Sequence, residues 1–299
     1  MKKEHVLISL RDLEFVSSLS RRKHFARAAE ECGVSQPAFS MRIRKLEEKL
    51  DAAIVKRGNR FQGFTAEGEA LVRHARKIVD DVKVMEQEFR SARGDITGTL
   101  SLGVIPTAVI FAARAVKLLR ARYPGIKTSI QTATSLTIQQ GLENGIYDAG
   151  LTYSEGVSED LLRVEDVYKE TYQLVIPEHL APRKTGNVTW KEAAELPLSL
   201  LEPGMQNRRI LDKVFSSLGL EPKVISENSE FLTSLILASE GLSATVVPNL
   251  MVDAFGSPQG AIALPLVEPV VNKDVSLATP LREPSLPTVY GLRQVLDLT

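Results

Sequence analysis

Residues 35–45 carry side chains of the kinds that contact the bases and phosphates of DNA. A glutamine can form two hydrogen bonds with adenine and an arginine two with guanine, while hydroxyl and backbone N–H groups can hold phosphates. If Ile43 faces the interior, these polar residues lie on the opposite face of a helix or on its flanks. An ordinary solvated helix presents a similar face, so the neighbouring elements must decide. The candidate contacts are Ser35, Gln36, Pro37, Ser40, Arg42, Arg44 and Lys45.

The flanking pattern predicts that this face belongs to the second helix of a helix-turn-helix. A helix over HFARAAEEC stops at Gly33, and Ser35 then has the chemistry of an N-cap, with Pro37 in the first turn. Apolar residues recur at helical spacing from Phe39 to Leu50. Helix, tight turn and helix within about 25 residues is the arrangement of a DNA-binding helix-turn-helix.

The charge of the chain is divided unequally. Residues 1–93 carry 20 Lys and Arg against 14 Asp and Glu, a net charge of +6, whereas residues 94–299 carry 17 against 23, a net charge of −6. The stretch IVKRGNRFQGFT has the glycines and basic residues of a two-stranded wing, which adds Arg57 and Arg60 to the candidate DNA contacts. We therefore expect a polyanion-binding module followed by a module with another task.

A long amphipathic helix is predicted between these modules. Its apolar residues alternate at steps of four and three, which is a heptad seam, and most flanking positions are charged. The seam could pack on its own domain, but its place between two modules favours a coiled-coil contact between two chains. The seam residues are Leu71, Ala75, Ile78, Val82, Met85 and Phe89.

After a short hinge, GDITG, the pattern changes to strands that alternate with helices. Strands are predicted at TLSLGVI, IKTSIQTA, YDAGLTY, YQLVIP, PLSLLE, KVISE and SATVVP, with helices between most of them. Such alternation indicates parallel sheets with crossover helices. About 200 residues of this kind can form one unit with two lobes.

Four predicted strands end in residues that could bind a small molecule. Ligands of open α/β sheets bind outside the carboxyl ends of the strands, and hydroxyl and amide groups at helix starts suit an anion such as a carboxylate. Each of these residues could instead be a helix cap, and a neutral ligand is an alternative because no arginine is clearly placed for an anion. The candidates are Pro106, Thr107, Thr134, Ser135, Met205, Gln206, Asn207 and Asn228.

Other features exclude several classes of protein. No early apolar run approaches the roughly 20 residues of a membrane span, and the N-terminus lacks the pattern of a signal peptide, so we expect a cytoplasmic protein without a membrane partner. The histidines show no metal-ligand spacing, and no catalytic or cofactor-binding motif is present, so neither a metal, a cofactor nor enzymatic activity is expected. The single cysteine, Cys32, excludes an internal disulfide and a two-cysteine redox sensor, and its surroundings favour a packing role over a reactive thiol.

The segment HFARAAEECGVSQPAFSMRIRKLEEKL resembles the signature of the LysR-type transcriptional regulators. Asp51 and Val55 depart from the family pattern, which usually has glycine and phenylalanine there. The matching wing residues are Arg57, Arg60, Thr65 and Gly68. The matching helix-turn-helix residues are Ala28, Ala29, Val34, Ser35, Gln36, Pro37, Ala38, Phe39, Ser40, Ile43, Leu46 and Glu47.

The resemblance implies an N-terminal all-α winged helix-turn-helix over residues 1–65, a linker and dimerisation helix over 66–93, and a two-lobed α/β effector domain over 94–299. That domain would be similar to periplasmic solute-binding proteins, with an effector between its lobes. The implied protein is a homodimer or homotetramer that binds a dyad-symmetric promoter, and RNA polymerase remains open as a further partner. The alternatives are an architectural DNA-binding protein without a ligand and, less favoured, a solute-binding protein or enzyme.

Overall fold

The structure is a computed structural model that describes residues 8–56, 58, 61–91, 96–158, 160–281 and 284–298. Its contacts divide the chain into two compact units. The first unit comprises residues 1–96 with the short segments 144–146 and 284–287, and the second comprises the rest. No helix in the described part of the chain has both the length and the apolar character needed to cross a lipid bilayer.

The first unit is built on helices α1 (Leu10–Arg22), α2 (Phe25–Glu31) and α3 (Gln36–Leu50). Helix α1 begins with a capping box in which the side chains of Ser9 and Asp12 bond each other's backbone amides. Its apolar face packs on α3, where the rings of Phe15 and Phe39 stack with centroids 4.7 Å apart. These contacts bury the apolar stripe that the sequence predicted for α3 and leave the opposite face of that helix outside the core.

Both ends of α3 follow from local chemistry. The Ser35 hydroxyl accepts a hydrogen bond from the Ala38 amide (3.4 Å), and Pro37 occupies the first turn, as predicted. At the other end Asp51 has φ of +49°, in the left-handed region. Aspartate is among the few residues that enter this region readily. The helix therefore ends in left-handed backbone even though a residue other than the family's usual glycine stands there.

Helix α4 (Ala66–Ser91) starts where the wing ends. The Thr65 hydroxyl donates to the Ala53 carbonyl (2.6 Å) and accepts from the Gly68 amide (2.9 Å). Gly68 lies so close to the Ile54 carbonyl that a Cβ at this position would stand 2.0 Å from its oxygen. Val55 and Phe64 form an antiparallel bridge in the wing. Thr65 and Gly68 thus fix the junction between the wing and α4.

The second unit contains two lobes. The first lobe holds a five-stranded sheet in the order β2-β1-β3-β11-β4, with a short 3-10 helix, Pro106–Ala108, after β1. The strands are β1 (Gly98–Val104), β2 (Ile126–Thr132), β3 (Ala149–Tyr153), β4 (Leu162–Glu170) and β11 (Lys273–Pro280). The helices of this lobe are α5 (Val109–Arg122), α6 (Ser135–Glu143) and α11 (Pro287–Val295).

The second lobe holds one four-stranded sheet in the order β6-β10-β5-β9 and a separate β7-β8 pair. The strands are β5 (Tyr172–Pro177), β6 (Val188–Thr189), β7 (Pro197–Leu201), β8 (Lys223–Asn228), β9 (Thr245–Pro248) and β10 (Ala261–Val267). The helices are α7 (Trp190–Ala194), α8 (Gln206–Ser217), α9 (Phe231–Ser239) and α10 (Asn249–Phe255).

The prediction of parallel sheets is right in part. Strand β1 pairs in parallel with β2 and β3, and β7 pairs in parallel with β8. It is wrong for β11, which pairs antiparallel with β3 and β4, and for β5, which pairs antiparallel with β9 and β10. These pairings arise because the chain passes between the lobes twice, from β4 to β5 and back from β10 to β11. The sequence analysis did not identify β4, β10 or β11 as strands.

Replacing Gly68 with alanine should destabilise the first unit. The added Cβ would meet a backbone carbonyl that is held by the wing, so α4 must shift, at an expected cost of about 1–3 kcal/mol. Calorimetry of thermal unfolding measures the loss. The control Glu67→Ala changes an exposed residue in the same helical turn and should have little effect. Equal unfolding temperatures for the two variants would contradict the close approach.

Candidate functional site

The face of α3 that points away from the core presents most of the predicted DNA contacts. Ser35, Gln36, Pro37, Arg44 and Lys45 are exposed, and the half-buried Ser40 accepts a hydrogen bond from the Gln36 side chain (3.0 Å). The carboxamide and guanidinium groups therefore stand at the surface beside the free amides of a helix start. Hydrogen-bond donors in this arrangement can enter a DNA groove and contact base edges and phosphates.

The structure directs Arg42 elsewhere. Its guanidinium donates to the Asp12 carboxylate (2.9 Å) and to the Ser9 hydroxyl (3.2 Å). It also lies over the Phe15 ring, 5.2 Å from the centroid. Arg42 was predicted as a DNA contact, but these interactions fasten α3 to α1. Periodicity placed Arg42 on the flank of the helix and could not show which neighbour it would meet.

Asp12 is the carboxylate on which this fastening depends. Its burial alone would raise its pKa, but hydrogen bonds from the Ser9 amide and hydroxyl and from Lys49, together with the charge of Arg42, lower the pKa below its ordinary value. Lys49 contacts Asp12 at 3.3 Å. The carboxylate therefore remains ionised at neutral pH and holds two cationic side chains of α3.

Glu47 and Cys32, in the same segment of the chain, have structural roles. The Glu47 carboxylate accepts hydrogen bonds from the amides of Ile54 (2.8 Å) and Val55 (3.0 Å), which ties α3 to the start of the wing. Cys32 is half-buried against the core of the first unit, and burial raises the pKa of its thiol. The predicted wing contacts Arg57 and Arg60 lie outside the described residues.

The predicted seam of α4 divides into two parts. Leu71 and Ala75 pack into the core of their own unit, which is the alternative that the sequence left open for the seam. Further along, Val82 is half-buried, whereas Ile78 and Met85 are 43% and 59% exposed. Phe89 also has a large exposed fraction, 67%. The second half of α4 thus carries apolar side chains that the core of the first unit does not cover.

Seven of the eight predicted effector contacts line one small cavity between the two lobes of the second unit. Its volume of about 10 Å³ holds about one water-sized molecule. The seven are Pro106, Thr107, Thr134, Ser135, Met205, Gln206 and Asn207, and the other lining residues are Ile105, Tyr153 and Leu201.

The eighth candidate, Asn228, is not among the lining residues. Its amide donates to the hydroxyls of Ser199 (2.7 Å) and Ser234 (3.2 Å). These bonds connect β8 to β7 and α9 inside the second lobe. Arg208, which follows Asn207, is also engaged, because it donates to Asp212, to the Leu201 carbonyl and to Glu227 at 2.8–2.9 Å.

A buried hydrogen-bond network lies against the cavity. The Tyr153 hydroxyl donates to Glu170 Oε1 (2.7 Å) and also contacts Thr107 Oγ1 (3.2 Å) and Asn207 Nδ2 (3.4 Å). Glu170 is the last residue of β4, at the first passage between the lobes, and is fully buried. The network therefore joins residues of both lobes.

The sequence analysis missed Tyr153 and Glu170. Tyr153 ends the predicted strand YDAGLTY, so its position at a third strand end could have identified it. Glu170 lies between charged and polar neighbours in YKETYQ, and nothing in that pattern distinguishes it from a solvated residue.

Burial controls the ionisation of Glu170. It raises the pKa of this carboxyl group from 4.5 to about 7, and hydrogen bonding, chiefly from Tyr153, offsets only part of the rise. Glu170 Oε2 and Asn207 Oδ1 are buried without a hydrogen-bond partner. Oxygen atoms of this kind are costly unless water, a proton or a ligand donates to them. The described residues hold no cluster of acidic, histidine and cysteine side chains suited to a metal ion.

Glu170→Gln should change how stability depends on pH. The folded state binds the Glu170 proton more tightly than the unfolded chain, so this stabilisation is complete below pH 4.5 and lost as pH rises through about 7. We expect the unfolding free energy of the variant to rise relative to wild type by on the order of 3 kcal/mol across this window. Urea denaturation at stepped pH measures it. The surface control Glu143→Gln should show no such rise, and a constant difference between Glu170→Gln and wild type would contradict the buried ionisation.

Comparison with known proteins connects both sites to one family. Residues 10–69 match "Bacterial regulatory helix-turn-helix protein, lysR family", and residues 93–297 match "LysR substrate binding domain". The chain is 29% identical over 290 residues to the "Hydrogen peroxide-inducible genes activator" of Haemophilus influenzae, covering 92% of this chain and 93% of that protein. It is 29% identical over 298 residues to the "DNA-binding transcriptional dual regulator OxyR" of Escherichia coli, covering 97% and 96%.

Solved structures share the fold. A cysteine-to-aspartate variant of full-length OxyR from Pseudomonas aeruginosa superposes with a TM-score of 0.73 at 21% identity, covering 98% of this chain and 97% of that one. Full-length CbnR in complex with its target DNA superposes with a TM-score of 0.67 at 20% identity, covering 97% and 99%. The two family matches together span the helix-turn-helix and the two-lobed unit, and the chain belongs to the LysR family of DNA-binding transcription regulators.

Proposed function

We propose that this regulator binds a dyad-symmetric promoter as a homo-oligomer and that a small molecule between its lobes modulates the binding. The proposal assigns DNA binding to residues 1–65, dimerisation to 66–93 and effector binding to 94–299. The observation that carries it is the interlobe cavity, whose lining comes from both lobes and includes the buried Asn207 with a free carbonyl oxygen. An architectural DNA-binding protein would have no use for such a cavity.

The exposed face of α3 is proposed to recognise the base sequence of the promoter. Gln36 and Arg44 have the donors that discriminate adenine and guanine, and both side chains are exposed. Ser35 and Lys45 suit phosphate contacts beside them, and Arg57 and Arg60 would add contacts from the wing. Arg42 supports this face indirectly, because its bond to Asp12 sets the position of α3 against α1.

The effector is proposed to carry no negative charge, in place of the small organic anion that the sequence analysis favoured. None of the cavity-lining residues is lysine or arginine, and the neighbouring Arg208 is engaged by Asp212 and Glu227. A carboxylate would therefore find no cation there, and the ionised form of Glu170 would repel it.

Binding of the effector is proposed to be reversible and independent of thiol chemistry. Relatives of this chain are described as hydrogen peroxide-inducible genes activators. The single cysteine here, Cys32, lies in the first unit, and burial raises the pKa of its thiol. A thiol reacts with oxidants as the thiolate, so this residue is poorly suited to sensing peroxide. Residues 94–299 contain no thiol.

Substitutions can distinguish residues that contact bases from residues that stabilise the fold. Gln36→Ala and Arg44→Ala should each weaken binding to the promoter relative to random DNA by about 1–3 kcal/mol, because each removes a base contact. Arg42→Ala should instead lower thermal stability and weaken binding to both DNAs alike, since it removes the closer of the two cations that pair with the buried Asp12. Fluorescence anisotropy with the two DNAs, paired with thermal unfolding, measures both. Equal losses on both DNAs for Arg44→Ala would remove it from base reading.

Dimerisation is proposed to use the exposed part of the α4 seam. Ile78→Asp and Met85→Asp should raise the dimer dissociation constant by roughly 100-fold or more, because association would bury an unpaired charge. Sedimentation velocity across a concentration series measures this. Lys77→Asp is the matched control, since it places the same side chain on an adjacent exposed position outside the seam. Seam variants that sediment like the control would place the contact elsewhere.

A further inference from the structure

We propose that a hydrogen-bond relay from Glu170 through Tyr153 to Thr107 and Asn207 sets the polarity of the interlobe cavity, so that the effector is a neutral or cationic hydrogen-bond donor. This inference rests on the proposed effector role of the cavity and narrows the chemical class of its ligand.

The direction of the relay follows from counting protons. A phenol has a single proton, and the short bond from Tyr153 to Glu170 Oε1 uses it while the carboxylate is ionised. Every other group that bonds the Tyr153 oxygen must then donate to it. The Thr107 hydroxyl and the Asn207 amide nitrogen are those groups, at 3.2 and 3.4 Å.

The consequence appears on the cavity side. Thr107 has turned its proton toward Tyr153, so only its oxygen lone pairs remain for a ligand. With the amide nitrogen of Asn207 directed at Tyr153, its Oδ1 atom is left buried and without a partner. Both residues line the cavity, which therefore offers acceptors from both lobes. A hydroxyl, amide or amidinium group can satisfy them, whereas a carboxylate cannot.

The groups around Glu170 leave this direction in place. Tyr168 on the same strand and Tyr172 on β5 stay neutral, because burial holds the pKa of each far above its ordinary value. Lys273, which lies on β11 opposite Glu170 of β4, directs its ammonium group to Glu155 (2.8 Å). On α8, Arg208 is held by Asp212 and Glu227. These cations do not compete with Tyr153 for the carboxylate.

Protonation of Glu170 reverses the relay. The neutral carboxyl group can donate to the Tyr153 oxygen, and the phenol proton can then turn to Thr107. The Thr107 proton becomes free to point into the cavity and to meet an acceptor. Because burial raises the pKa of Glu170 to about 7, the preference for donor ligands should weaken as pH falls through neutrality.

Three small probes of nearly the same shape test the inference: acetamidinium, acetamide and acetate. The first two carry N–H donors, acetate carries only acceptors, and none changes its charge between about pH 6 and about pH 8. Binding to the full chain is measured by ligand-observed NMR titration at both pH values. Since the closed cavity holds about one water-sized molecule, these probes must part the lobes slightly.

At about pH 8 we expect each donor probe to bind about tenfold or more tightly than acetate, and at about pH 6 this ratio should fall severalfold. Glu170→Gln and Tyr153→Phe should each remove the pH dependence of the ratio. Glu143→Gln, which changes an exposed carboxylate at the end of α6 in the same lobe, should retain it. Glu170→Gln removes a buried charge and keeps the side-chain shape, so it still tests the proposal if Tyr153→Phe fails to fold.

The inference is overturned if acetate binds most tightly of the three probes at about pH 8, or if neither donor probe binds. It is also overturned if both Glu170→Gln and Tyr153→Phe keep the pH dependence of the wild-type chain. Promoter binding by the same preparations separates the two claims. If the chain binds DNA sequence-specifically but prefers acetate, the regulator role stands and the proposed preference for hydrogen-bond donors is refuted. If the wild-type chain shows no sequence-specific DNA binding, the proposed function is refuted instead.

Discussion

The carboxyl group of Glu170 is buried at the point where the chain first passes from one lobe to the other, and the hydrogen-bond network beside the interlobe cavity is organised around it. Burying a charge is costly unless donors surround it, and here one close donor, Tyr153, serves one of the two carboxylate oxygens. Tyr153 in turn brings together Thr107 from the first lobe and Asn207 from the second. The geometry of the cavity therefore depends on the Tyr153 hydroxyl group, which contacts residues of both lobes.

The first unit also contains a buried carboxyl group, but its surroundings lower the pKa instead of raising it. Asp12 is also buried, but a backbone amide, a hydroxyl and two cations surround it, and its pKa falls below the ordinary value. Such a carboxylate stays ionised and acts as a fixed anchor for α3. Glu170 has neutral hydrogen-bonding partners, and its pKa rises to about 7. One buried acid is suited to holding the DNA-reading face in place, and the other to changing its state.

Relatives of this chain are described as hydrogen peroxide-inducible genes activators, yet the second unit of this chain has no cysteine. The fold can carry different sensing chemistry because the cavity residues lie at strand ends and helix starts, where side chains vary without disturbing the sheets. In this chain those positions hold hydroxyl and amide groups. Under our proposal, the hydrogen-bond directions of these groups, which depend on Tyr153 and Glu170, select the ligand in place of charge or redox chemistry.

The sequence by itself determined the local elements and much of the site. Apolar spacing and capping chemistry identified α3 and its exposed face, because both depend on residues within one or two helical turns. The rule that ligands bind at the carboxyl ends of strands identified seven cavity residues. Tertiary structure decided the rest. Arg42 bonds Asp12, Asn228 bonds two serines, and two of the six seam residues of α4 pack on their own core, because each of these contacts depends on a neighbour from another element. Strands β4, β10 and β11 lack a clear alternation of apolar residues, and their antiparallel pairing follows from the double passage between lobes. Glu170 was beyond reach for the same reason: its burial, and hence its chemistry, exists only once both lobes have formed around it.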